Sequence, residues 1–367
     1  MQKRRIWQYW TAALIALLAI AGVGSAANAA LPIAQPAQQV ASADVGNTNS
    51  KPGAVNCADV ATYHLEMQTN LRAAEILAAC GYYGAAAAVK AQQQPVKGGN
   101  MPVPAAIGGT DANVILPDAT YPKVTQSESF VWGFGNTVVV HYNDSRASGG
   151  CYAGISYSTD GGTTWTRNGG AGTSPICAGH GTNYGDPTVV HDNAHNVWVA
   201  SDLATGCGGQ GIGIWTSPDA ITWTAGACAH NGASDDRQSH WVDNTPSSPY
   251  YGRQYITWND YAQQQQIRVV TSTDGGTTWS APVNITTTFV RNIQDTGSQD
   301  ATGTAYVAGM DEQGGGLNNR INHMYKSING GATWTDSVMG AAFPGPGRAT
   351  SGYFALVFST IWRHMGW

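Results

Sequence analysis

One short phrase recurs four times in this chain, and its spacing constrains the fold more than any other feature. Ser158-Thr159-Asp160-Gly161-Gly162-Thr163-Thr164-Trp165 returns as Ser272-Thr273-Asp274-Gly275-Gly276-Thr277-Thr278-Trp279. A third copy, Ser327 to Trp334, carries Asn329 in place of the aspartate. A fourth, Ser217 to Trp223, keeps Asp219 but is one residue shorter and has no glycine. In chain order the closing tryptophans are Trp165, Trp223, Trp279 and Trp334, a nearly constant spacing. A fixed period of this size marks a stacked repeat in which each unit buries its apolar faces against its neighbours.

Each unit shares more than the phrase. An alternating, strand-like run precedes it and ends at an aspartate: Val138 to Asp144, Val197 to Asp202, Tyr255 to Asp260 and Ala305 to Asp311. A second strand then runs into the phrase, and an inner strand lies upstream, as in Ser129 to Gly133 or Pro187 to His191. Four strands per repeat make one blade of an all-β propeller. Within the phrase, the aspartate is expected to accept backbone N–H groups two or three residues on and close a tight turn. The glycines allow positive φ, and the tryptophan packs between blades. Asp160, Asp219, Asp274 and Asn329 therefore read as fold devices rather than as catalytic groups.

Composition agrees. There are 46 glycines and 13 tryptophans in 367 residues, and only 11% of residues are charged. The glutamates number four (Glu66, Glu75, Glu128, Glu312), which excludes a helical, Glu/Lys-laced surface. A net charge of -5 gives no support to a nucleic-acid partner held by basic patches.

The N-terminal region differs. Lys3, Arg4 and Arg5 precede an apolar run from Thr11 to Gly24, and Ala27-Asn28-Ala29 offers a small-x-small cleavage pattern. Residues 1–29 read as a secretory signal peptide, too short in its apolar run to remain as a membrane span. The mature protein is thus expected to be secreted, periplasmic or extracellular. Residues 30–56 and 92–109 read as linkers. Residues 57–91 read as a helical segment, with Met67, Leu71, Ala74, Leu77 and Ala78 at helical spacing and Gly81 as a stop. The propeller takes up 110–367 and is incomplete at its C-terminus, a fifth unit starting near Arg348. The strand-like stretch Ala112 to Leu116 is a candidate outer strand for closing the ring. Six cysteines in an exported chain suggest three disulfides. Cys151 and Cys177 follow the second and fourth strands of one blade, and Cys207 and Cys228 hold the same places one blade later. The expected pairs are Cys57–Cys80, Cys151–Cys177 and Cys207–Cys228. No CxxC pair exists, so neither a metal nor another cofactor is implied.

The phrase resembles the Asp-box, or BNR repeat, of the sialidase-like β-propellers. The resemblance covers about residues 110–367. It implies four-stranded blades, usually six in the complete ring, with boxes on one face and a substrate site around the funnel on the other. It further implies a glycoside hydrolase of the sialidase type, in which three arginines hold the sugar carboxylate, a Tyr–Glu pair is the nucleophile and an Asp is the acid/base. The Arg-Ile-Pro motif that usually carries the first arginine is absent here. Asp-boxes also occur in non-catalytic propellers that bind glycans or proteins, and a glycosidase acting on a neutral polysaccharide is a third reading.

On the face opposite the boxes, the strand ends place Asp144, Asp202, Asp260 and Asp311, with Asp186 and Glu128 opening inner strands. Most of these are expected to cap turns. Asp144 and Asp186 are the preferred acid/base candidates, with Glu128 and Glu312 behind them. Arg237, Arg291 and Arg348 recur at close to the period of the tryptophans. They are expected to face the funnel as a carboxylate-binding ring, or else to pair with Asp235, Asp236 or Asp295. Tyr184, Trp241 and Tyr261 are candidates for stacking on a sugar. His191 and His195 read as solvent-facing turn residues, and Asn143 and Asn284 head glycosylation sequons.

Overall fold

The structure is a computed structural model. It describes residues 55–65, 73, 76–77, 79–82, 112–115, 126–147, 151–170, 173–264, 266–313 and 319–344. The chain divides into two compact units, Met1–Ala43 and Asp44–Trp367, and all described residues belong to the second. The expected signal peptide, Arg348, Glu66 and Glu75 lie outside them.

Sixteen strands form four antiparallel blades in strict sequence order. Blade I comprises β1 (Gln126–Phe134), β2 (Thr137–Asp144), β3 (Ala153–Ser158) and β4 (Thr166–Asn168). Blade II comprises β5 (Asn183–Asp192), β6 (Val197–Ala204), β7 (Gly211–Ser217) and β8 (Thr224–His230). Blade III comprises β9 (Asp235–Val242), β10 (Gln254–Asp260), β11 (Gln266–Ser272) and β12 (Val283–Asn284). Blade IV comprises β13 (Arg291–Gly297), β14 (Ala305–Asp311), β15 (Asn319–Ser327) and β16 (Thr335–Val338), and a short β17 (Phe343–Pro344) also pairs with β15. The first strands of the blades, β1, β5, β9 and β13, pack side by side around the axis. This arrangement is a β-propeller. The stretch at 112–115 is not a strand but a bend; Pro117 just beyond it could not donate to a ladder.

The core lies in the seams between blades. Val139 and Ile155 of blade I pack with Val189, Trp198 and Ala200 of blade II, and Val199 and Ile214 of blade II with Ile256 and Trp258 of blade III. Every residue of β5 is buried, while all four of β16 are exposed. The inner strand is enclosed on both faces and therefore reads as a continuous apolar and small-polar run rather than an alternating one. Each fully buried Val, Ile or Trp contributes roughly 1.5–3 kcal/mol.

The boxed turns join the seams. Asp274 Oδ1 accepts the Thr278 N–H (2.9 Å) and the Ser272 hydroxyl (2.8 Å), and its Oδ2 accepts the Thr278 hydroxyl (2.6 Å). Ser272 Oγ accepts the Gly276 N–H at 3.0 Å. Asp160 repeats this pattern, and hydrogen bonds from Thr164 hold its carboxyl down at about 2. The N–H captured by the full-length boxes lies four residues on, not two or three as the sequence suggested. In the short copy it lies two and three on, because Ala220 takes the left-handed place (φ 66°) and Ile221 and Thr222 both donate to Asp219. Asn329 keeps the acceptor role toward Thr333 N–H (3.0 Å) and donates its own N–H to the Thr333 hydroxyl. The box tryptophan donates its indole N–H back to the turn, as Trp279 does to Gly276 O at 3.1 Å, and its ring enters the seam with the preceding blade. Gly276 lies so close to that blade that an added Cβ would meet Val199 at 3.2 Å.

The three disulfides pair as expected: Cys57–Cys80, Cys151–Cys177 and Cys207–Cys228. Before the propeller, helix α1 (Ala58–Tyr63) contributes Val60 to a small cluster with Leu65, Ala73, Ile76 and Leu77. Gly81 turns left-handed there (φ 77°), and Tyr82 N–H returns to Leu77 O at 3.0 Å. No helix among the described residues is long and apolar enough to cross a membrane.

The turns and bridges can be tested by unfolding. Asp274→Ala should lower the free energy of urea unfolding by about 1–2 kcal/mol, and Asp274→Asn by less, because Asn329 already closes the same turn. Reduction of Cys151–Cys177 and Cys207–Cys228, whose partners are separated by 26 and 21 positions, should cost about 3 kcal/mol each in unfolding monitored with and without dithiothreitol.

Candidate functional site

The face opposite the boxes is built by one repeated irregularity. The pairing of each inner strand with the second strand of its blade slips near the start: between Ser127 and Phe130, Gly185 and Thr188, Asp236 and Ser239, and Arg291 and Gln294. At each slip one non-glycine residue turns left-handed: Glu128 (φ 56°), Asp186 (58°), Arg237 (58°) and Asn292 (54°). Such a bulge re-aims a side chain out of the ladder. A left-handed Glu or Arg costs backbone energy, and strain of this kind gathers where a site needs it. Four blades in succession thus present a charged or amide side chain at an equivalent place around the axis.

The neighbours of these residues tie the blades together. Asn143 Nδ2 donates to Glu128 Oε2 (2.9 Å), and the Arg237 N–H donates to Asp186 Oδ2 (2.8 Å), linking blades III and II. Asp186 is buried, whereas Glu128 and Arg237 are half-buried. Asp236 is also buried.

The expected site residues divide. Glu128 and Asp186 both stand at bulges and both act electrostatically on Asp202. Asp144 is fully buried, paired with Arg167 Nε at 2.8 Å, and accepts the Arg146 N–H and the Gln126 amide. Glu312 is buried, with its Oε2 3.6 Å from Arg291 Nη1 and its carbonyl accepting from Arg320. Arg237 and Arg291 are not equivalent. Arg291 stands in the register position of Asp236, and Asn292 is the counterpart of Arg237. Burial works against the Arg291 charge, but Tyr261, Glu312 and Asp236 more than offset it and keep the guanidinium protonated. Its acid partner is Glu312 rather than Asp235 or Asp295. Asp295 is instead buried under the hydroxyls of Ser239 and Thr257, and burial raises its carboxyl to about 7.

Among the aromatic candidates, Tyr261 is buried beside Phe289 and Tyr184 sits in the seam of blades II and III. Trp241 stacks on Tyr255 near the box end of its strand, away from the funnel. His191 is not solvent-facing. It is buried between Phe134 (ring centroids 3.7 Å apart) and Trp198, while His195 pairs with Asp192 at the turn. The side chain of Asn143 is engaged with Glu128 and Ser127, and Asn284 is exposed on β12.

Two groups bring metal-ligating atoms together among the described residues. His180 faces Cys207 and Cys228, whose sulfurs are bound in the disulfide. His230, Asp235 and Asp260 have ligand atoms within 4.8 Å of one another, with His230 Nδ1 2.6 Å from Asp235 and Arg268 on Asp260. Sequence reasoning missed the bulge doublets. Their signal is a charged or amide residue at about the repeat period, at Glu128, Asp186, Arg237 and Asn292, preceded by a polar residue in three of the four blades and by Gly185 in the other.

No protein-family model matches the chain. A levanase from Bacillus sp. (strain L7) is 34% identical over 93 residues, which is 23% of this chain and 9% of that protein. Among solved structures, an exo-1,5-α-L-arabinanase from a bovine ruminal metagenomic library is similar over 63% of this chain and 81% of its own, at 16% identity and a TM-score of 0.37. An exo-β-1,3-galactanase from Phanerochaete chrysosporium is similar over 61% and 52%, at 13% identity and a TM-score of 0.40. A Hadza microbial sialidase is similar over 58% and 46%, at 15% identity and a TM-score of 0.42.

Glu128→Gly should leave unfolding free energy within about 1 kcal/mol of wild type, because relief of the left-handed strain offsets the lost Asn143 contact. Urea titration checks this, and a larger loss would show that the side chain holds the bulge.

Proposed function

We propose that the chain is a secreted β-propeller glycoside hydrolase whose funnel takes a sugar bearing a carboxylate, as sialic acids do. The observation that supports the reading is the set of four left-handed bulges, with two acids on blades I and II and a cation on blade III. Cleavage of a glycosidic bond needs one carboxyl to protonate the departing oxygen and another to face the anomeric carbon or its attacking water. Glu128, the more exposed, serves as the proton donor. Asp186, fixed by the Arg237 N–H, serves as the facing carboxylate. Arg237 lies one blade further round and supplies a charged fork for the sugar's own carboxylate, with the Arg291–Glu312 pair behind it. The reading gives the chain the reaction class of the arabinanase, galactanase and sialidase to which it is similar. Three disulfides suit an oxidising, exported setting.

The test is hydrolysis by the full-length protein of an aryl α-sialoside beside aryl arabinofuranoside and galactoside. Sialoside turnover is expected, falling at least 100-fold in Glu128→Gln and Asp186→Asn. Arg237→Ala should raise KM about 10-fold or more, and Arg291→Lys should weaken binding less, since its partner is already Glu312. Hydrolysis of only the neutral glycosides would remove the carboxylate reading and keep the enzyme. Sialoside binding without turnover in any substrate would make the chain a non-catalytic glycan-binding propeller.

A further inference from the structure

Three of the four aspartates that end second strands do what turn chemistry asks. Asp144, Asp260 and Asp311 each accept the N–H two residues on, from Arg146, Ala262 and Gln313. Asp202 does not. It stands two residues before the end of β6, its side chain is fully buried, and its Oδ1 accepts the N–H of Gly185 on the neighbouring inner strand at 3.0 Å. Gly185 is the residue before the Asp186 bulge and is itself left-handed (φ 110°). The Asp202 carboxyl therefore fastens the backbone that presents Asp186.

The other oxygen, Oδ2, is buried and has no hydrogen-bond partner among the described residues. Across the seam, His141 of blade I is equally buried, and its Nε2 also lacks a partner. The two atoms are 3.6 Å apart. The far nitrogen of the ring, Nδ1, lies 3.0 Å from Thr188 O, an acceptor that requires the proton on Nδ1. Nε2 then holds either a lone pair or a second proton. Two orphaned buried atoms facing each other, one an oxygen and one a nitrogen, are both satisfied by one proton between them once the 3.6 Å gap closes to hydrogen-bond distance. Among the described residues no Arg or Lys pairs with Asp202, and the charged groups that act on it, Asp186 on β5 and Glu128 on β1, are both acids. Asn183 adds a polar contact to the same carboxyl.

We propose that His141 and Asp202 share a single proton across the seam of blades I and II, carried on the Asp202 carboxyl, and that this neutral pair is the positioning element of the Asp186 bulge. Glu128 and Asp186 then bring negative charge to this end of blades I and II, and Asp202 adds none. Burial acts on both partners in the direction the geometry requires. It pushes the Asp202 carboxyl well up and the His141 imidazole down to about 4. The functional consequence rests on the funnel reading above, but the pair itself is measured by stability and spectroscopy, so the two can fail separately.

Asp202→Asn is the discriminating variant. Its amide oxygen keeps the Gly185 N–H, and its N–H₂ donates to His141 Nε2 as the proposed proton does. The native protein should retain its proton on Asp202 where the unfolded chain has lost it, so wild-type stability falls as pH rises above the unfolded carboxyl value. His141 gives the opposite slope: the unfolded chain binds a proton that the native ring refuses between about 4 and 6.5. In wild type the two slopes cancel over that window, and above it only the Asp202 loss remains. The variant should fold with an equal or higher urea midpoint. Its unfolding constant should fall relative to wild type by up to tenfold per pH unit as pH rises from about 4. Nitrogen-15 spectra of wild-type His141 should show a neutral ring with Nδ1 protonated at pH 7. An imidazolium signal at pH 7 would overturn the proposal, and so would an Asp202→Asn protein as destabilised as Asp202→Ala with the wild-type pH slope. If Asp202→Asn does not fold, the wild-type spectrum alone decides.

Discussion

Everything in this chain depends on a turn that holds a tryptophan. The carboxylate of Asp274 captures one backbone N–H and two hydroxyls, and the indole N–H that follows is tied back to the same turn. That leaves the indole ring no freedom except to enter the seam with the blade before it. The repeat length follows from this geometry, since each box must return to the same height in the next blade. The seams in turn bury β5, β6 and β9 on both faces. Such strands have no solvent side, which is why polar groups within them must find partners inside the protein.

The opposite face has a different logic. There each inner strand breaks register near its start, β5 twice, and the break rather than the strand presents the candidate residues. The bulge lifts Glu128, Asp186, Arg237 and Asn292 out of the ladder. One cross-blade bond, from the Arg237 N–H to Asp186, ties the bulges of blades II and III, while Asn143 steadies Glu128 within blade I. The propeller therefore separates two kinds of polar feature by face: hydrogen-bonded turns and tryptophans on one side, left-handed polar residues on the other.

Much of the first face was legible in the sequence. The near-constant period, the position of the tryptophans and the equivalence of the two propeller disulfides all follow from local chemistry repeated along the chain. The second face was only half legible. Glu128 and Asp186 stood out as acids at strand starts, but period alone misaligned Arg237 with Arg291. The slip between those two is a single position, and only the ladder reveals that Asn292 is the true counterpart. Asp144 and Glu312 looked like free acids because their partners, Arg167 and Arg291, lie a whole strand or more away along the chain. His191 looked like a surface turn residue because nothing local records that Phe134 of the previous blade stacks on it. Long-range pairing decides each of these, and a single sequence does not carry it.

The bulges have one more consequence. The left-handed φ at each slip is nearly the same whether the residue is glutamate, aspartate, arginine or asparagine. The left-handed residue is thus a socket rather than a fitted part, and the ladder on either side does not register what is plugged into it. A funnel built this way can change its charge pattern blade by blade without renegotiating the core. The diversity of chemistry around such an axis is then limited by which side chains tolerate a positive φ, not by what the seams can pack.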